Sequence, residues 1–360
     1  MAIAHDRIFV ESEIVLDIYR YMPSNIPTKK NHISMAKVSV VIPVYGVEAY
    51  IRRCARSLFG QTLNDMEFIF VDDFTPDRSI DLLKKEVEQL PPPRRKQVRI
   101  INLPQNMGAA KAREVGIKAA TGEYIIHCDS DDWVERDAYR KMYDCAKRHD
   151  YDIVIADYCE HDGNRILRTV HQDINVKDPL RSVIAFPIVC SLFNKLVKRS
   201  LLNNNEIYYP ICHMQEDNVL CIEMFYYALH VCYLEGCTPI YNYYINPDSI
   251  SHRQDDNADL RRCHDAHANT EIACRFAKDK GFYKQYENEF LQLKANVRGF
   301  LMPLMKRSNR YYMEWLCCFP ELNRQYLFLA EVPASLKVVF LLTLCGTYPY
   351  ICKLRSLLHR

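Results

Sequence analysis

The sequence contains no run of 18 apolar residues, no CxxC pair and no marked excess of charge of either sign. Without such an apolar run, a helix that spans a membrane is not expected. The formal net charge of +2 gives the protein no overall attraction to nucleic acid. The 15 cysteines are an odd number in a chain of 360 residues, which argues against a disulfide scaffold. We therefore expect a globular protein with free thiols in a reducing cytosol.

Two common nucleotide-binding motifs are also missing. The loop after the first predicted strand reads Val44-Tyr45-Gly46-Val47-Glu48, which supplies neither GxGxxG nor GxxxxGKS/T. The first absence excludes a dinucleotide oxidoreductase, and the second excludes a P-loop enzyme. The same loop lacks the Gly-rich, Arg-bearing sequence that sugar nucleotidyltransferases normally have.

The pattern from Val38 onward alternates between short apolar runs and amphipathic segments. The runs predict strands at 38–44, 68–71, 98–103 and 124–128, and the segments between them predict helices at 48–59, 77–90 and 109–120. Strands that are apolar on both faces are typical of a parallel sheet covered by helices. This alternation therefore predicts an open α/β sheet with helices on both faces.

Acidic clusters stand at the carboxyl ends of two predicted strands. Asp72 and Asp73 follow the second strand, and Asp129, Asp131 and Asp132 follow the fourth. Ligands of open α/β sheets bind beyond these strand ends. Carboxylates this close together repel one another unless a cation lies among them, and oxygen ligands suit Mg²⁺ or Mn²⁺. The alternative is that these acids only cap a helix beginning near residue 133.

Composition divides the chain into three predicted regions: an extension at 1–34, an α/β domain at 35–252 and a helical region at 253–360. Met35 directly precedes the first strand, so we hypothesise that residues 1–34 lie upstream of the natural start. The first 18 residues carry several charges and lack the apolar core of a secretory signal peptide, so we expect a cytoplasmic protein. The segment 336–360 is apolar with basic flanks, which fits a helix at a membrane surface or a buried helix pair.

Several motifs resemble those of the family 2 glycosyltransferases, which share the GT-A fold. They lie between residues 38 and 252 in the order of that family. In sequence they are Val38 to Tyr45, Val71 to Ser79, Asn106 to Arg113 with Gly116 and Gly122 to Ile125, Asp129 to Asp132, Asn194 to Leu196, and Glu216 with Asp217. The resemblance implies a GT-A fold (a Rossmann-like nucleotide-diphospho-sugar transferase) with an open mixed sheet and a helical C-terminal region.

The resemblance also implies a reaction, in which a sugar moves with inversion from a nucleotide-diphosphate sugar, with UDP as the expected carrier, to a glycan or lipid-linked acceptor. Asp131 and Asp129 are the implied ligands of Mn²⁺ or Mg²⁺, and Asp217 is the implied catalytic base, with Glu216 beside it. The implied donor-binding residues are Pro43, Val44, Tyr45, Asp73, Asn106, Arg113, Asp129 and Ser130. Of these, Asp73 is expected to accept the N–H of the nucleobase.

The sequence departs from the family pattern at three positions. Gly46 stands where Asn is usual, Phe74 where Gly is common, and Glu114 where Asn is frequent. None of these changes removes an acid, so the implied metal and base chemistry is retained. We expect a role in cell-surface polysaccharide or glycolipid synthesis. The segment 336–360 is expected to hold the protein at the inner face of the cell membrane. The alternative is a non-catalytic nucleotide-sugar-binding or scaffold protein of the same fold.

Overall fold

The computed structural model describes most of the chain after residue 35, and residues 35–360 form one compact unit. The described residues are 36–172, 177–185, 189–234, 236, 239–246, 249, 256–306, 309–329 and 332–347. The predicted extension at 1–34, the predicted boundary at 252–253 and the end of the chain after residue 347 lie outside them. These boundaries stay predictions.

A mixed sheet of seven strands forms the centre of the unit. Its strands are β1 (Val38–Val44), β2 (Met66–Asp72), β3 (Val98–Asn102), β4 (Tyr124–His127), β6 (Ile153–Ile155), β9 (Lys195–Lys198) and β10 (Val231–Tyr233). They lie in the order β10-β6-β9-β4-β1-β2-β3, and β3, β2, β1 and β4 are parallel to one another. Strand β9 runs antiparallel to both of its neighbours, so the predicted open mixed sheet is confirmed.

Helices cover the sheet and then form the C-terminal part of the chain. They are α1 (Ile51–Phe59), α2 (Ser79–Glu88), α3 (Pro92–Arg95), α4 (Ala109–Ala119), α5 (Ala138–Arg148), α6 (Pro179–Ile184), α7 (Arg199–Asn204), α8 (Glu216–Tyr227), α9 (Asp256–Asp279), α10 (Glu287–Gly299), α11 (Asn309–Cys317), α12 (Leu322–Gln325) and α13 (Ala334–Leu344). Short 3₁₀ turns lie at Tyr283–Tyr286, Leu304–Lys306 and Tyr326–Phe328.

The two faces of the sheet bury alternate residues of the same strands. Val40 and Phe68 belong to one core, which α1, α2 and α5 cover, whereas Val41 and Ile69 belong to the other, which α4 and α8 cover. Because successive side chains of a strand point to opposite faces, an unbroken apolar run fills both cores. Helix α4 approaches β1 so closely that a methyl group at Gly116 would lie 2.4 Å from Val41 Cγ1. A glycine is therefore needed where this helix crosses the sheet.

A smaller sheet lies beside the first and consists of β5 (Trp133–Val134), β7 (Tyr158–His161), β8 (Ile166–Val170) and β11 (Tyr241–Tyr244) in the order β5-β11-β7-β8. The alternative prediction of a helix beginning near Trp133 is wrong. Trp133 pairs with Asn242 in this sheet, and the next helix begins at Ala138. The local sequence did not reveal this because β5 has two residues and depends on a partner more than 100 positions away.

Helices α9 to α13, together with the 3₁₀ turns between them, are called here the C-terminal bundle (residues 256–347). The bundle has its own core, in which Cys263, Leu291, Trp315 and Phe340 are buried. Helix α9 joins it to the rest of the unit through contacts with α8. Within the described residues, each helix is too short or too polar to cross a bilayer.

Candidate active site

The parallel strands place the predicted acidic residues at one edge of the central sheet, called here the donor edge. In the register of the sheet, Val44 at the end of β1 lies opposite Asp72 at the end of β2. On the other side of β1, Val41 pairs with His127, the last residue of β4. Asp73 and Asp129 follow β2 and β4 within two residues, so both emerge beside the end of β1.

Arg113 of α4 holds three carboxylates together at this edge. Its Nη2 atom lies 2.9 Å from Asp129 Oδ1. Its Nη1 atom lies 3.3 Å from both Glu216 Oε1 and Asp217 Oδ1, at the start of α8. The guanidinium is buried, which works to lower the pKa of Arg113, but the three negative charges raise this pKa above its ordinary value. Arg113 therefore stays charged and links the end of β4 to α8.

One cation does not neutralise three acids, and the pKa values of Glu216 and Asp217 lie above their ordinary range. Burial, with the charge of Asp217 adding to it, raises the pKa of Glu216 to about 8, against the lowering effect of Arg113. Burial also raises the pKa of Asp217 above its ordinary value. If all three acids ionise beside Arg113, the cluster carries two uncompensated negative charges. A further cation or a proton on one of the acids is then favourable.

The pair Glu216 and Asp217 forms the first turn of α8. The preceding residue, Gln215, has a left-handed backbone with φ of +63°, which turns the chain sharply into the helix. Acids at a helix N-terminus are favoured by the helix dipole, so part of the reason for this pair is structural. However, the same two side chains also reach Arg113 and the donor edge, which a purely local capping role does not require.

Asp73 forms the floor of a second part of the site. Its carboxylate accepts hydrogen bonds from the backbone N–H groups of Met107 (2.6 Å) and Gly108 (2.9 Å). Asn106 donates from its side chain to the backbone carbonyl of Asp73 at 3.3 Å. Burial raises the pKa of Asp73, and the two backbone bonds partly offset this effect. Asp73 thus fixes the loop that carries Asn106, a function the sequence did not indicate.

His213 lies against this loop and was not among the predicted site residues. A methyl group built at Gly108 would lie 2.3 Å from His213 Cε1, and Gly108 has φ of +87°. The loop before α8 is therefore packed directly on the loop after β3. The charge of His213 also acts on the pKa of Asp73. The sequence signal was Gly108 in Asn106-Met107-Gly108, because a residue with a side chain could not adopt this backbone conformation at such a close approach.

The rim of the predicted nucleobase slot is aromatic and exposed. Tyr45 is 50% exposed and Phe74 is 60% exposed, whereas the side chain of Val44 is buried in the core. Only the backbone of Val44 is thus available to line a slot, and its carbonyl accepts from Asp73 N at 3.0 Å. Phe74 has φ of +58°, a conformation that favours glycine. This explains physically why a glycine suits the position.

The acids after β4 have different surroundings. Asp132 is fully buried and accepts hydrogen bonds from the Tyr241 hydroxyl (2.6 Å) and from Tyr244 N (2.7 Å). It therefore holds β11 against the donor edge. Asp131 accepts from Asn246 Nδ2 at 3.1 Å. Burial and the charge of Asp129 raise the pKa of Asp131.

Arg53 of α1 is a further residue that the sequence did not single out. Its Nη2 atom donates to the Asp131 carbonyl at 2.7 Å, and its guanidinium lies 3.9 Å from the centre of the Trp133 ring. It also lies 5.1 Å from the ring of Tyr244. Arg53 therefore joins the loop of acids to the smaller sheet. Nothing in the local sequence of α1 distinguishes it from neighbouring arginines.

A divalent cation fits the carboxylates of Asp131 and Asp129. Both are oxygen donors at the donor edge, and burial, with the negative charge of Asp129 adding to it, raises the pKa of Asp131, so a cation beside them is favourable. Within the described residues, no three His, Cys, Asp or Glu side chains form a complete ligand set. A pair of carboxylates is typical of Mg²⁺ and Mn²⁺ sites in which substrate phosphates and water complete the coordination shell.

Other candidate residues have structural surroundings. Lys195 is buried and donates to the Val189 and Ser191 carbonyls at 2.8 and 2.7 Å, so its ammonium group holds a loop. His127 is buried, and burial lowers its pKa to about 3, so it remains neutral. Ser130 is also buried. His252, a further histidine at the predicted end of the α/β domain, lies outside the described residues.

The family model for glycosyl transferase family 2 matches residues 39–220, just over half of the chain. The chain belongs to glycosyltransferase family 2. The match contains the donor edge, with Asp73, Arg113, Asp131 and Asp217, and ends before the C-terminal bundle.

Curated members of the family are similar over part of their length. EpsH of Bacillus subtilis is 30% identical over 225 residues, which are 60% of this chain and 63% of EpsH. TarS of Staphylococcus aureus, a poly(ribitol-phosphate) beta-N-acetylglucosaminyltransferase, is 26% identical over 180 residues, or 49% of this chain and 30% of TarS. The chain thus spans less than two thirds of the length of these relatives.

Solved structures of other glycosyltransferases share the fold. The TarS fragment 1–349 in complex with UDP-GlcNAc has a TM-score of 0.55 at 16% identity, over 87% of this chain and 89% of the fragment. The mannosyltransferase PcManGT of Pyrobaculum calidifontis, in complex with GDP-Man and Mn²⁺, has a TM-score of 0.51 at 13% identity, over 92% of each chain. The GT-A fold predicted from the motifs is confirmed by these similarities.

Proposed function

We propose that this family 2 glycosyltransferase moves a sugar, with inversion, from a nucleotide-diphosphate sugar to a hydroxyl of a glycan or lipid-linked acceptor. The observation that carries the proposal is the convergence of Asp129, Glu216 and Asp217 on the buried Arg113 beside the Asp73 loop. A UDP-sugar is the proposed donor, because TarS was solved with UDP-GlcNAc. A GDP-sugar is the competing donor, since PcManGT was solved with GDP-Man.

The donor lies, in this proposal, along the ends of β1, β2 and β4. Its nucleobase N–H is accepted by Asp73, and the base fits between the backbone of Pro43 and Val44 and the exposed ring of Tyr45. Asn106, Asp129 and Ser130 line the sugar-phosphate part of the donor. Arg113 contributes a fixed positive charge beside the diphosphate, which suits a guanidinium.

Asp217 is the proposed catalytic base. A carboxylate must take the acceptor hydroxyl proton while the oxygen attacks the anomeric carbon and the bond to the diphosphate breaks. The raised pKa of Asp217 makes it a stronger base than an exposed aspartate. Arg113 holds its carboxylate in place at 3.3 Å. Because one base acts on the side opposite the leaving group, a single displacement inverts the anomeric centre.

Asp131 and Asp129 would hold Mn²⁺ or Mg²⁺, with Asn246 orienting Asp131 through its 3.1 Å hydrogen bond. When bound, such a cation neutralises charge on the diphosphate as a Lewis acid. The residues around it have their own tasks. Asp132 fixes β11, and Arg53 fixes the backbone of the acidic loop.

The test is a thermal-shift panel of UDP, GDP, CMP and dTDP, each with and without Mn²⁺. A ligand that binds only the folded state stabilises it by roughly 2.7 kcal/mol at a hundredfold excess over Kd. We expect a Mn²⁺-dependent increase in melting temperature with UDP, which Asp131→Ala removes. Asp144→Ala, which changes an exposed aspartate on α5, is the matched control and retains the shift. If no nucleotide changes the melting temperature, the chain is a non-catalytic member of the family.

We further propose that the enzyme works at the inner face of the cell membrane. On α13, Leu336, Val338 and Leu341 are each about half exposed. The sequence beyond the described residues adds Lys353, Arg355 and Arg360. Exposed apolar side chains followed by basic residues suit an anionic lipid surface. Full-length protein should sediment with vesicles containing phosphatidylglycerol, and Val338→Ser with Leu341→Ser should weaken this. Equal sedimentation of both proteins would contradict the proposal.

A further inference from the structure

The C-terminal bundle contains a cavity outside the region matched by the family model. Its volume is about 270 Å³, and its apolar lining consists mainly of Met302, Trp315, Tyr326, Leu336, Val339 and Phe340. An apolar cavity of about 150 Å³ is enough to bind benzene. The exposed lining residues are Asn296 and Gly299 on α10 and Leu336 on α13, so the cavity opens beside them, whereas Trp315 and Phe340 are buried at its inner side.

The charged residue in the lining is Arg298, which is 1% exposed. Its Nη2 atom donates to the Phe319 carbonyl (3.1 Å) and to Asn323 Oδ1 (2.7 Å), and its Nε atom donates to the Cys318 carbonyl. These bonds hold the chain where α11 ends. The positive charge also complements the carbonyl end of that helix. This part of the side chain has a structural function.

The remaining nitrogen of the guanidinium, Nη1, takes no part in these bonds. Arg298 Nη1 is buried and has no hydrogen-bond partner among the residues that the structure describes. Glu321, whose charge acts on Arg298, pairs with Lys294 instead at 2.6 Å. Arginine is almost never fully buried unless it is paired, and a buried cation bonded only to neutral groups is costly. An open donor on an uncompensated charge beside a cavity is therefore a site for an anion.

We propose that this cavity binds an amphipathic anion, in which a carboxylate or phosphate pairs with Arg298 and an apolar chain or ring fills the space beside Trp315. The walls exclude a fully polar ligand, because a free anion would leave the apolar lining without contact. Trp315 and Phe340 lie 4.3 and 5.7 Å from the guanidinium carbon, measured to their ring centres. The anionic group of such a ligand would thus contact Arg298, while its apolar part would contact the adjacent rings of Trp315 and Phe340. The site does not depend on the proposed sugar transfer.

The sequence supplies a reporter for this site, because it contains two tryptophans. In a full-length Trp133→Phe variant, Trp315 is the remaining one and lines the cavity. Its fluorescence is titrated with decanoate and decyl phosphate below their critical micelle concentrations. Decanol and inorganic phosphate serve as the neutral and the chain-free comparisons. We expect saturable changes with both amphipathic anions, at Kd values at least tenfold lower than with decanol, and no saturable change with inorganic phosphate.

A blocking variant separates binding in the cavity from general adsorption. Gly299 lines the cavity from an exposed position and a methyl group there would meet nothing within 4 Å, so Gly299→Leu is the variant chosen to add a side chain at the opening. It should raise the Kd for decanoate at least tenfold. Asn288→Leu, at an exposed position of the same helix, should leave it unchanged. Equal binding of decanol and decanoate, binding of inorganic phosphate alone, absence of any saturable change, or an unchanged Kd in Gly299→Leu would each overturn the proposal.

Discussion

A buried arginine lies at the donor edge and another in the C-terminal bundle, and the charges around the two guanidinium groups differ. Arg113 lies among three carboxylates, which raise its pKa despite burial. Arg298 bonds to carbonyls and an amide, and burial lowers its pKa to about 10. Burial of a guanidinium therefore does not define its function. Arg113 neutralises acids at the donor edge, one of which is the proposed base, whereas Arg298 holds a helix end and bonds only to neutral groups.

The largest expected effect comes from removing the cation at the donor edge. Arg113→Met leaves Asp129, Glu216 and Asp217 without their shared partner, and breaking a buried pair in this way costs about 3–5 kcal/mol. The pKa values of Glu216 and Asp217, which Arg113 lowers, then rise further, so the folded state binds protons more tightly than the unfolded chain. Stability is consequently lost as pH rises. Urea unfolding should show a larger loss at pH 8 than at pH 5.

The matched control for this change is Arg148→Met, at an exposed arginine near the end of α5. It should leave the free energy of unfolding nearly unchanged at both pH values. A loss for Arg113→Met that is equal at pH 5 and pH 8 would mean that the three acids are not held by its charge.

The second effect concerns catalysis at the same edge. Asp217→Asn removes the proposed base, and loss of general-base catalysis lowers kcat by about 10²–10⁴-fold. It also removes one negative charge from the acids around Arg113, which repel one another, so the melting temperature at pH 8 should rise. Steady-state assays and thermal unfolding measure the two changes. If Glu216→Gln abolishes activity and Asp217→Asn retains it, the base is Glu216.

The third effect tests the other side of the comparison. Arg298→Met removes hydrogen bonds at the end of α11, at a cost of about 1–3 kcal/mol. Because it bonds only to carbonyl and amide oxygens, this loss should differ much less between pH 5 and pH 8 than the loss for Arg113→Met in urea unfolding. A pH-dependent loss like that of Arg113→Met would erase the distinction between the two arginines.

The smallest effect concerns backbone strain. Phe74 at the donor edge has φ of +58° and an exposed ring, whereas Phe319 in the C-terminal bundle has φ of +51° and a buried ring. A left-handed residue costs about 1–2 kcal/mol, and glycine adds about 0.5–1 kcal/mol of entropy, so Phe74→Gly should stabilise by roughly 0.5–1 kcal/mol. Phe74→Ala keeps the strain and should give no gain. Phe319→Gly should destabilise, because it removes a packed ring.

Much of the donor edge was predictable because its signals are local. Apolar runs that end in acids identify strands and strand ends, and parallel strands must bring those ends together. The predicted helix boundaries differ from the structure by a few residues, as at α1, which begins at Ile51 after a turn formed by Val47 and Tyr50. The function of Asp132 was not predictable, because its partners Tyr241 and Tyr244 lie more than 100 positions away.

Residue types at fixed local spacing were enough to identify the family, the four parallel strands β1 to β4 and the acids at their ends. Which charges meet depends on the folded chain. Arg113 reaches Glu216 across 103 positions of sequence, and Arg298 meets the cavity only where three helices pack together. Charge compensation depends on distance in space, and packing between remote elements sets that distance.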